Sequence, residues 1–362
     1  MAETWDVKDI NERYRKLLYG LGTYYKEPLP FVRGEGKWLF GADGKKYLDF
    51  FGGILTVSLG HCDPRVVGAI EKQAKTLQHV STLFPTLPII ELAEQLAGLF
   101  PGDKPAKCFF TNSGTEANET AILTARVHTQ RTEVIALRHG YHGRSMLSMS
   151  LTGHAPWRLG AVNDPAIRHA MAPYCYRCPL KLKPESCGTA CAQDVEEVIK
   201  TTTSGRPAAF IGEPILGVGG FITPPKEYYP IVADIVKRAE AVFISDEVQT
   251  GWGRTGGKWF GIEQYGVKPD IVVAAKSLGN GHPIGATVVR VKDFGFESGQ
   301  DPEVLGIAFE TAVRIGEFVE RALPVVPVGR MPDVVGEPGH VDQVGVAAQP
   351  DRHAAADLRD LQ

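Results

Sequence analysis

The chain has 362 residues, 43% hydrophobic and 22% charged, with a formal net charge of -3. That is the balance of an ordinary globular protein, long enough for a large domain and a smaller one. It excludes a strongly basic nucleic-acid binder and a like-charge tail, the mixed start from Met1 to Asp6 excludes a secretory signal, and no apolar run is long enough to cross a bilayer, so a cytoplasmic protein is expected.

Gly36 to Asp49 reads as a hairpin turning near Asp43-Gly44, the start of a smaller domain. Helical periodicity follows over Pro64–Leu77 and Leu87–Leu99. Short apolar strands are then expected at Lys107–Phe110, Val134–Leu137, Ala208–Ile211, Ala241–Ser245 and Asp270–Ala274, with helices over Gly114–Val127 and Tyr228–Ala239. Such alternation predicts an α/β fold with a mostly parallel central sheet and helices on both faces, whose ligand binds beyond the carboxyl ends of the strands. From about Val291 the alternation fades; Gly306–Leu323 could form one helix, and the Pro-, Gly-, Val- and Ala-rich remainder has little to build a core from. The expected division is 1–60 as the N-terminal part of a small domain, 61–290 as the large domain, and 291–362 as a divergent, partly disordered segment.

Six cysteines are present, four of them as C-x2-C-x8-C-x3-C: Cys175, Cys178, Cys187 and Cys191. Reduced thiols in a Pro-rich loop are the simpler reading, and a structural zinc site the other. A disulfide suits a reducing compartment less well, and nothing here has the open position of a catalytic metal.

Four motifs sit at expected strand ends. Asn112-Ser113-Gly114-Thr115-Glu116-Ala117-Asn118 opens a helix, where small residues and backbone N–H groups can close on a phosphate; a plain Ser/Glu helix cap would look the same. In His139-Gly140-Tyr141-His142-Gly143-Arg144, the tyrosine can lie against a conjugated ring and the arginine can grip a carboxylate; otherwise this is a loop with a packed Tyr and a solvated Arg. Asp246, ending an apolar strand, is costly to bury without a cation such as a protonated pyridine nitrogen, unless it merely caps the next turn. Lys276, directly after another apolar strand, has its charge disfavoured by burial and becomes a usable amine, unless it snorkels to the surface. A phosphate cradle, a stacking face, a pyridinium partner and an amine together suit one ligand.

With these motifs on the page, the chain resembles the class III (ω-type) aminotransferases, fold-type I pyridoxal-phosphate enzymes, from about Pro28 to Thr287. The resemblance rests on N-S-G-T-E-A-N, Y-H-G-R, G-E-P-I, D-E-V-Q-T-G-W-G-R-T-G and A-K-S-L-G-N-G-H-P-I-G-A. The Cys-rich insert and the G-G-I-L-T-V-S-L-G-H opening are most similar to the alanine–glyoxylate aminotransferase group. It implies a pyridoxal 5'-phosphate cofactor whose aldehyde Lys276 holds, with Asp246 on the ring nitrogen, Val248 opposite Tyr141 across the ring, and Gln249 on the ring hydroxyl. Ser113, Gly114 and Thr115 would hold the phosphate, His142 and Glu213 would stand near the cofactor, and Arg144 would bind a substrate carboxylate.

The implied activity is transfer of an amino group from an amino acid, alanine or an ω-amino acid, to a 2-oxo acid such as glyoxylate or pyruvate, in a homodimer. The alternatives are an aminomutase or racemase of the same fold and a non-catalytic, cofactor-binding or dimerising remnant. The family continues with T-x-G-G-N-P and a C-terminal small domain carrying an arginine. Here Thr287 comes too early, and Arg314 and Arg321 lie in dissimilar sequence. The smaller α+β domain therefore reads as truncated, with a substituted or frame-shifted end from about Val291.

Overall fold

A computed structural model describes residues 6–18, 25–102, 105–158, 160 and 163–291. The expectations for 292–362, including the helix over Gly306–Leu323, Arg314 and Arg321, lie outside the described residues. After α1 (Val7–Leu17), strands β1 (Phe31–Glu35), β2 (Trp38–Gly41) and β3 (Lys46–Leu48) form an antiparallel sheet. The Asp43-Gly44 turn is where the sequence predicts it. Gly44 takes φ +77°, open to glycine at no steric cost, and the Asp43 carboxylate accepts from the Lys45 N–H and the Tyr47 hydroxyl.

A single turn of inverted hand, α2 (Gly52–Leu55), then leads into α3 (Pro64–Thr76) and α4 (Leu87–Leu99). The Asp63 carboxylate accepts from the Arg65 N–H at the start of α3, next to a proline at the first helical position.

The main sheet has seven strands in the order β4-β10-β9-β8-β7-β5-β6. They are β4 (Ala106–Thr111), β5 (Val134–Leu137), β6 (Ile167–Ala170), β7 (Ala209–Gly212), β8 (Val242–Asp246), β9 (Ile271–Ala274) and β10 (Gly285–Arg290). The pairs among β5 to β9 are parallel, whereas β10 runs antiparallel to both β4 and β9. Two of these strands, β6 and β10, are not among the apolar runs expected from the sequence. The edge strand β6 carries Arg168 and His169, and β10 lies inside a motif that reads as loop.

Each central strand feeds two cores, as period-two alternation requires. Ile135, Leu137, Phe210 and Phe243 face one side with Tyr228, Tyr229, Val232 and Ile235 of α8 (Tyr228–Arg238) and Val195 and Ile199 of α7 (Ala190–Thr202). Val134, Ala136, Ile211, Ile244 and Val273 face the other, against α5 (Gly114–Thr129) and Leu151 of α6 (Met146–Leu151). Ala117, Ala121 and Ala125 repeat every four residues on α5, and their small side chains let its backbone come close to the sheet. Fully burying each Phe, Leu or Ile here contributes about 1.5–3 kcal/mol. This rigid sandwich holds the loops that follow β4, β5, β7, β8 and β9.

Candidate active site

Those loops surround a cavity of about 280 Å³ lined by Ser113, Gly114, Thr115, Tyr141, His142, Glu213, Asp246, Val248, Gln249 and Lys276. Every cofactor-binding residue expected from the sequence is therefore brought to one place. Arg144 is not: it is exposed, on the loop before α6, and does not border the cavity. Asn118 and the His282–Ile284 segment also line it. Asn118 reads in the sequence as an ordinary polar residue on α5; its site role shows only once α5 is seen to cross beneath β8.

Asp246 ends β8, with its side chain 3% exposed. Its Oδ2 accepts from His142 Nδ1 at 2.7 Å and Asn118 Nδ2 at 2.8 Å, and its Oδ1 from the Val248 N–H at 3.1 Å. An ionised carboxylate offers about four lone-pair sites, so acceptor capacity is left for one more donor. Burial alone would lower the His142 pKa, but the hydrogen bond and charge of Asp246, with the charge of Glu213, outweigh it and raise it above the ordinary histidine value. The hydrogen bond from His142, whose protonated form Asp246 favours, thus helps make a buried aspartate tolerable. Removing one member of such a pair costs about 3–5 kcal/mol only where the other is left charged and buried; a histidine can instead give up its proton.

Lys276 stands one residue past β9, at the head of a 3-10 turn, with φ +47°. A non-glycine residue in this region stores strain of about 1–3 kcal/mol and persists only where its surroundings over-determine it. Nζ donates to Gln249 Oε1 at 3.0 Å. Burial lowers the lysine pKa, opposed by the negative charges of Asp246 and Glu213. A larger fraction of the amine is consequently uncharged than in a surface lysine.

Glu213, just past β7, is buried; its Oε1 accepts from the Tyr141 N–H at 2.8 Å and its Oε2 from the Gly217 N–H at 3.0 Å. Burial pushes its pKa up to about 7. The ring of Tyr141 packs edge-on against Trp157, 5.7 Å between centroids.

At the head of α5, Ser113 Oγ accepts from the Glu116 N–H at 3.2 Å, and Glu116 Oε2 accepts from the Asn112 N–H at 2.7 Å. The capping reading of this motif is therefore correct for the Ser113 side chain. It still leaves the first helical N–H groups, Gly114 and Thr115, without intrahelical acceptors, aimed at where an anion is favoured. Only glycine fits at 114, since a Cβ there would lie 2.8 Å from a Val248 methyl. An anion cradle, a buried carboxylate with a free acceptor site, a flat aromatic and a partly neutral amine fit pyridoxal phosphate. Thr287, by contrast, is buried in β10, its hydroxyl donating to the Ala117 carbonyl.

Cys175, Cys178, Cys187 and Cys191 border a separate small cavity near the start of α7. All four are free thiols, and among the described residues no three His, Cys, Asp or Glu side chains are grouped so as to hold a metal ion. Burial, with the neighbouring thiols, pushes Cys191 up to about 11.

The family model for "Aminotransferase class-III" matches residues 23–294. A mitochondrial alanine–glyoxylate aminotransferase 2 homolog from Arabidopsis thaliana is 42% identical over 298 residues, which is 82% of this chain and 59% of that protein. The human mitochondrial alanine–glyoxylate aminotransferase 2 is 38% identical, over 73% of this chain and 55% of its own length. An acetylornithine aminotransferase from Streptomyces clavuligerus is 40% identical, over 74% of this chain and 61% of its own. The chain thus spans less than two thirds of the length of these curated relatives. Among solved structures, an (S)-enantioselective omega-transaminase from Thermomicrobium roseum superposes with a TM-score of 0.74 and 35% identity, covering 88% of this chain and 76% of the other.

Proposed function

Because the chain belongs to the class-III aminotransferase family, we propose that it moves an amino group from alanine or an ω-amino acid to a 2-oxo acid such as glyoxylate or pyruvate, with pyridoxal 5'-phosphate as cofactor. The observation that carries this reading is the placing of a half-buried Lys276 amine, its pKa lowered by burial, in one cavity with an Asp246 carboxylate held by His142 and Asn118. Bound pyridoxal phosphate would supply an aldehyde to receive the amino group and a conjugated ring to accept the electron pair of a broken C–H bond.

The rest is the work of the chain's own residues. Asp246 keeps the ring nitrogen protonated, anchored from behind by His142 and Asn118. The N–H groups of Gly114 and Thr115, with Ser113 beside them, hold the phosphate. Tyr141 and Val248 line the cavity where the ring would sit, and Gln249, which accepts from Lys276 Nζ, would be free to meet the ring hydroxyl through its amide N–H. Lys276 Nζ, at the cavity, would serve as the general base and acid that takes up and returns the donor's proton, a contribution of about 10²- to 10⁴-fold.

A homodimer is part of the proposal, supported by large apolar side chains left at the surface, among them Phe50, Leu83, Phe84 and Leu87. Sedimentation velocity tests it: a single monomer boundary at micromolar concentration would refute it.

The reaction is tested by adding pyridoxal phosphate to the full chain and screening alanine, 4-aminobutyrate, β-alanine and ornithine for a donor-dependent change of the visible band. Borohydride should fix the cofactor to the peptide containing Lys276. A band without any donor-dependent change would instead favour a cofactor-binding chain that does not turn over.

A further inference from the structure

The G-G-I-L-T-V-S-L-G-H segment has no place in the chemistry above, yet it lies against the turn that presents Lys276. Gly52, Gly53, Ile54 and Leu55 all have φ between +57° and +63°. Four successive residues in the left-handed region, one of them β-branched, are held only by contacts made elsewhere. At one end the Asp49 carboxylate accepts from the Phe51 and Gly52 N–H groups, each at 2.8 Å, and pairs with His61 Nε2 at 2.8 Å.

At the other end Gly60 lies against the Gly36 backbone, and the side-chain contacts go to the Lys276 turn and to Arg254. The Arg254 guanidinium donates to Ser58 Oγ at 2.5 Å, Ser58 Oγ lies 2.5 Å from Ser277 Oγ, and Ser277 Oγ donates to the Leu55 carbonyl at 3.1 Å. Because Arg254 can only donate and the Leu55 carbonyl can only accept, the Ser277 proton goes to Leu55 and the chain has one direction: Arg254 to Ser58, Ser58 to Ser277, Ser277 to Leu55. Asn280 clasps the strap from its other side, its Oδ1 accepting from the Leu59 N–H at 2.9 Å and its Nδ2 donating to the Gly60 carbonyl at 3.0 Å. Asn280 itself sits at φ +46°, and Val57 packs against Gly281.

We propose that the strap Gly52–Gly60 is a positioning device for Lys276, with Ser58, Arg254 and Asn280 as the positioning residues that hold the 276–280 turn with Lys276 and Asn280 at positive φ. The proposal rests on Lys276 being the working amine, and it extends that reading to the residues that fix the amine's place. With the clasp gone, the turn can relax toward ordinary backbone angles, and the side chain can leave the cavity for water. Asp246 and Glu213 face the amine with negative charge, His142 stands behind Asp246, and His282 lines the rim.

The test uses the full chain without cofactor. Lys276 is labelled with trace acetic anhydride across pH, and its peptide is quantified by mass spectrometry. Ser58→Ala and Asn280→Gly should each raise the labelling midpoint of Lys276 by at least half a unit, about a threefold drop in neutral amine at fixed pH. Ser58→Thr should restore the parent midpoint, and the exposed Lys237 should not move. Asn280→Gly keeps the positive φ accessible, so it removes the clasp without adding strain. Should that variant fail to fold, Ser58→Ala, at an exposed position, decides alone. Parent-like Lys276 midpoints in folded variants would overturn the proposal and leave the strap a purely structural segment. Failure of the cofactor reading shows separately, as no visible band when pyridoxal phosphate is added to the parent chain.

Discussion

Asp246 and Glu247 are adjacent acids at the end of β8, both buried, and they meet opposite surroundings. Asp246 faces the cavity and is paired with His142, with an acceptor site unused. Glu247 faces the packed side and is consumed by neutral donors: the Gly261 and Ile262 N–H groups at 2.8 Å each, the Thr250 hydroxyl at 2.5 Å and the Ser245 hydroxyl at 3.1 Å. Burial raises the Glu247 pKa, and those hydrogen bonds only partly counter it. The first acid is built to meet something, and the second staples the loop after β8 to the Gly261–Tyr265 turn. Burial of a carboxylate is thus no sign of chemistry until its partners are counted.

This contrast can be broken by exchange. Asp246→Asn should reduce amine transfer by about 10²- to 10⁴-fold, read in the half-reaction, while the urea midpoint moves little, since His142 can then lose its proton. Equal loss of stability and activity would erase the distinction. Glu247→Ala should do the reverse: two buried N–H groups lose their acceptor at about 1–3 kcal/mol each, visible in the denaturation midpoint, while the folded fraction keeps its Lys276 chemistry.

Next in size is the pH dependence of the cavity floor. Glu213, raised from 4.5 to about 7, keeps its proton in the folded state where the unfolded chain has released it. Stability should therefore fall as pH climbs from about 4.5 to about 7, by no more than about 3 kcal/mol, and then level. His142, also raised, adds in the same sense, contributing below its unfolded value and losing this as pH passes its folded one. Glu213→Gln should flatten that slope in urea denaturation across pH; an unchanged slope would assign it elsewhere. Smallest is the surface control: the exposed Arg15–Glu27 pair should show less than about 1 kcal/mol of coupling in a double-mutant cycle.

The sequence made Asp246 and Lys276 visible because a charged residue directly after an apolar β run breaks a pattern. Helices α3, α4, α5 and α8 and five of the seven sheet strands were visible for a related reason, since period 2 and period 3.6 are both strong there, whereas α1 and α7 were not expected. Asn118, Glu247 and the strap were not. Asn118 and Glu247 sit beside other polar residues, so no pattern is broken, and their roles depend on which helix crosses which strand. The strap's left-handed backbone leaves no mark in residue types beyond Gly52-Gly53, and the inverted run continues through Ile54 and Leu55. Strand β10 was hidden because Ala286-Thr287-Val288-Val289 follows a loop-like Gly/Pro stretch, and its direction is a property of the sheet.

That reversed strand does one more thing. Ala286 pairs with Phe110 on one side and Ala274 on the other, so β4 and β9 end level with each other across a single intervening strand. At about 4.8 Å per strand, their ends stand about 10 Å apart. Over the gap lies Gly285, where a Cβ would collide with the Ser113 carbonyl. The sheet therefore works as a caliper: one jaw carries the turn at the head of α5 proposed to hold the phosphate, the other carries the Lys276 amine, and the opening is set by the width of one strand, a length that no side-chain substitution can retune.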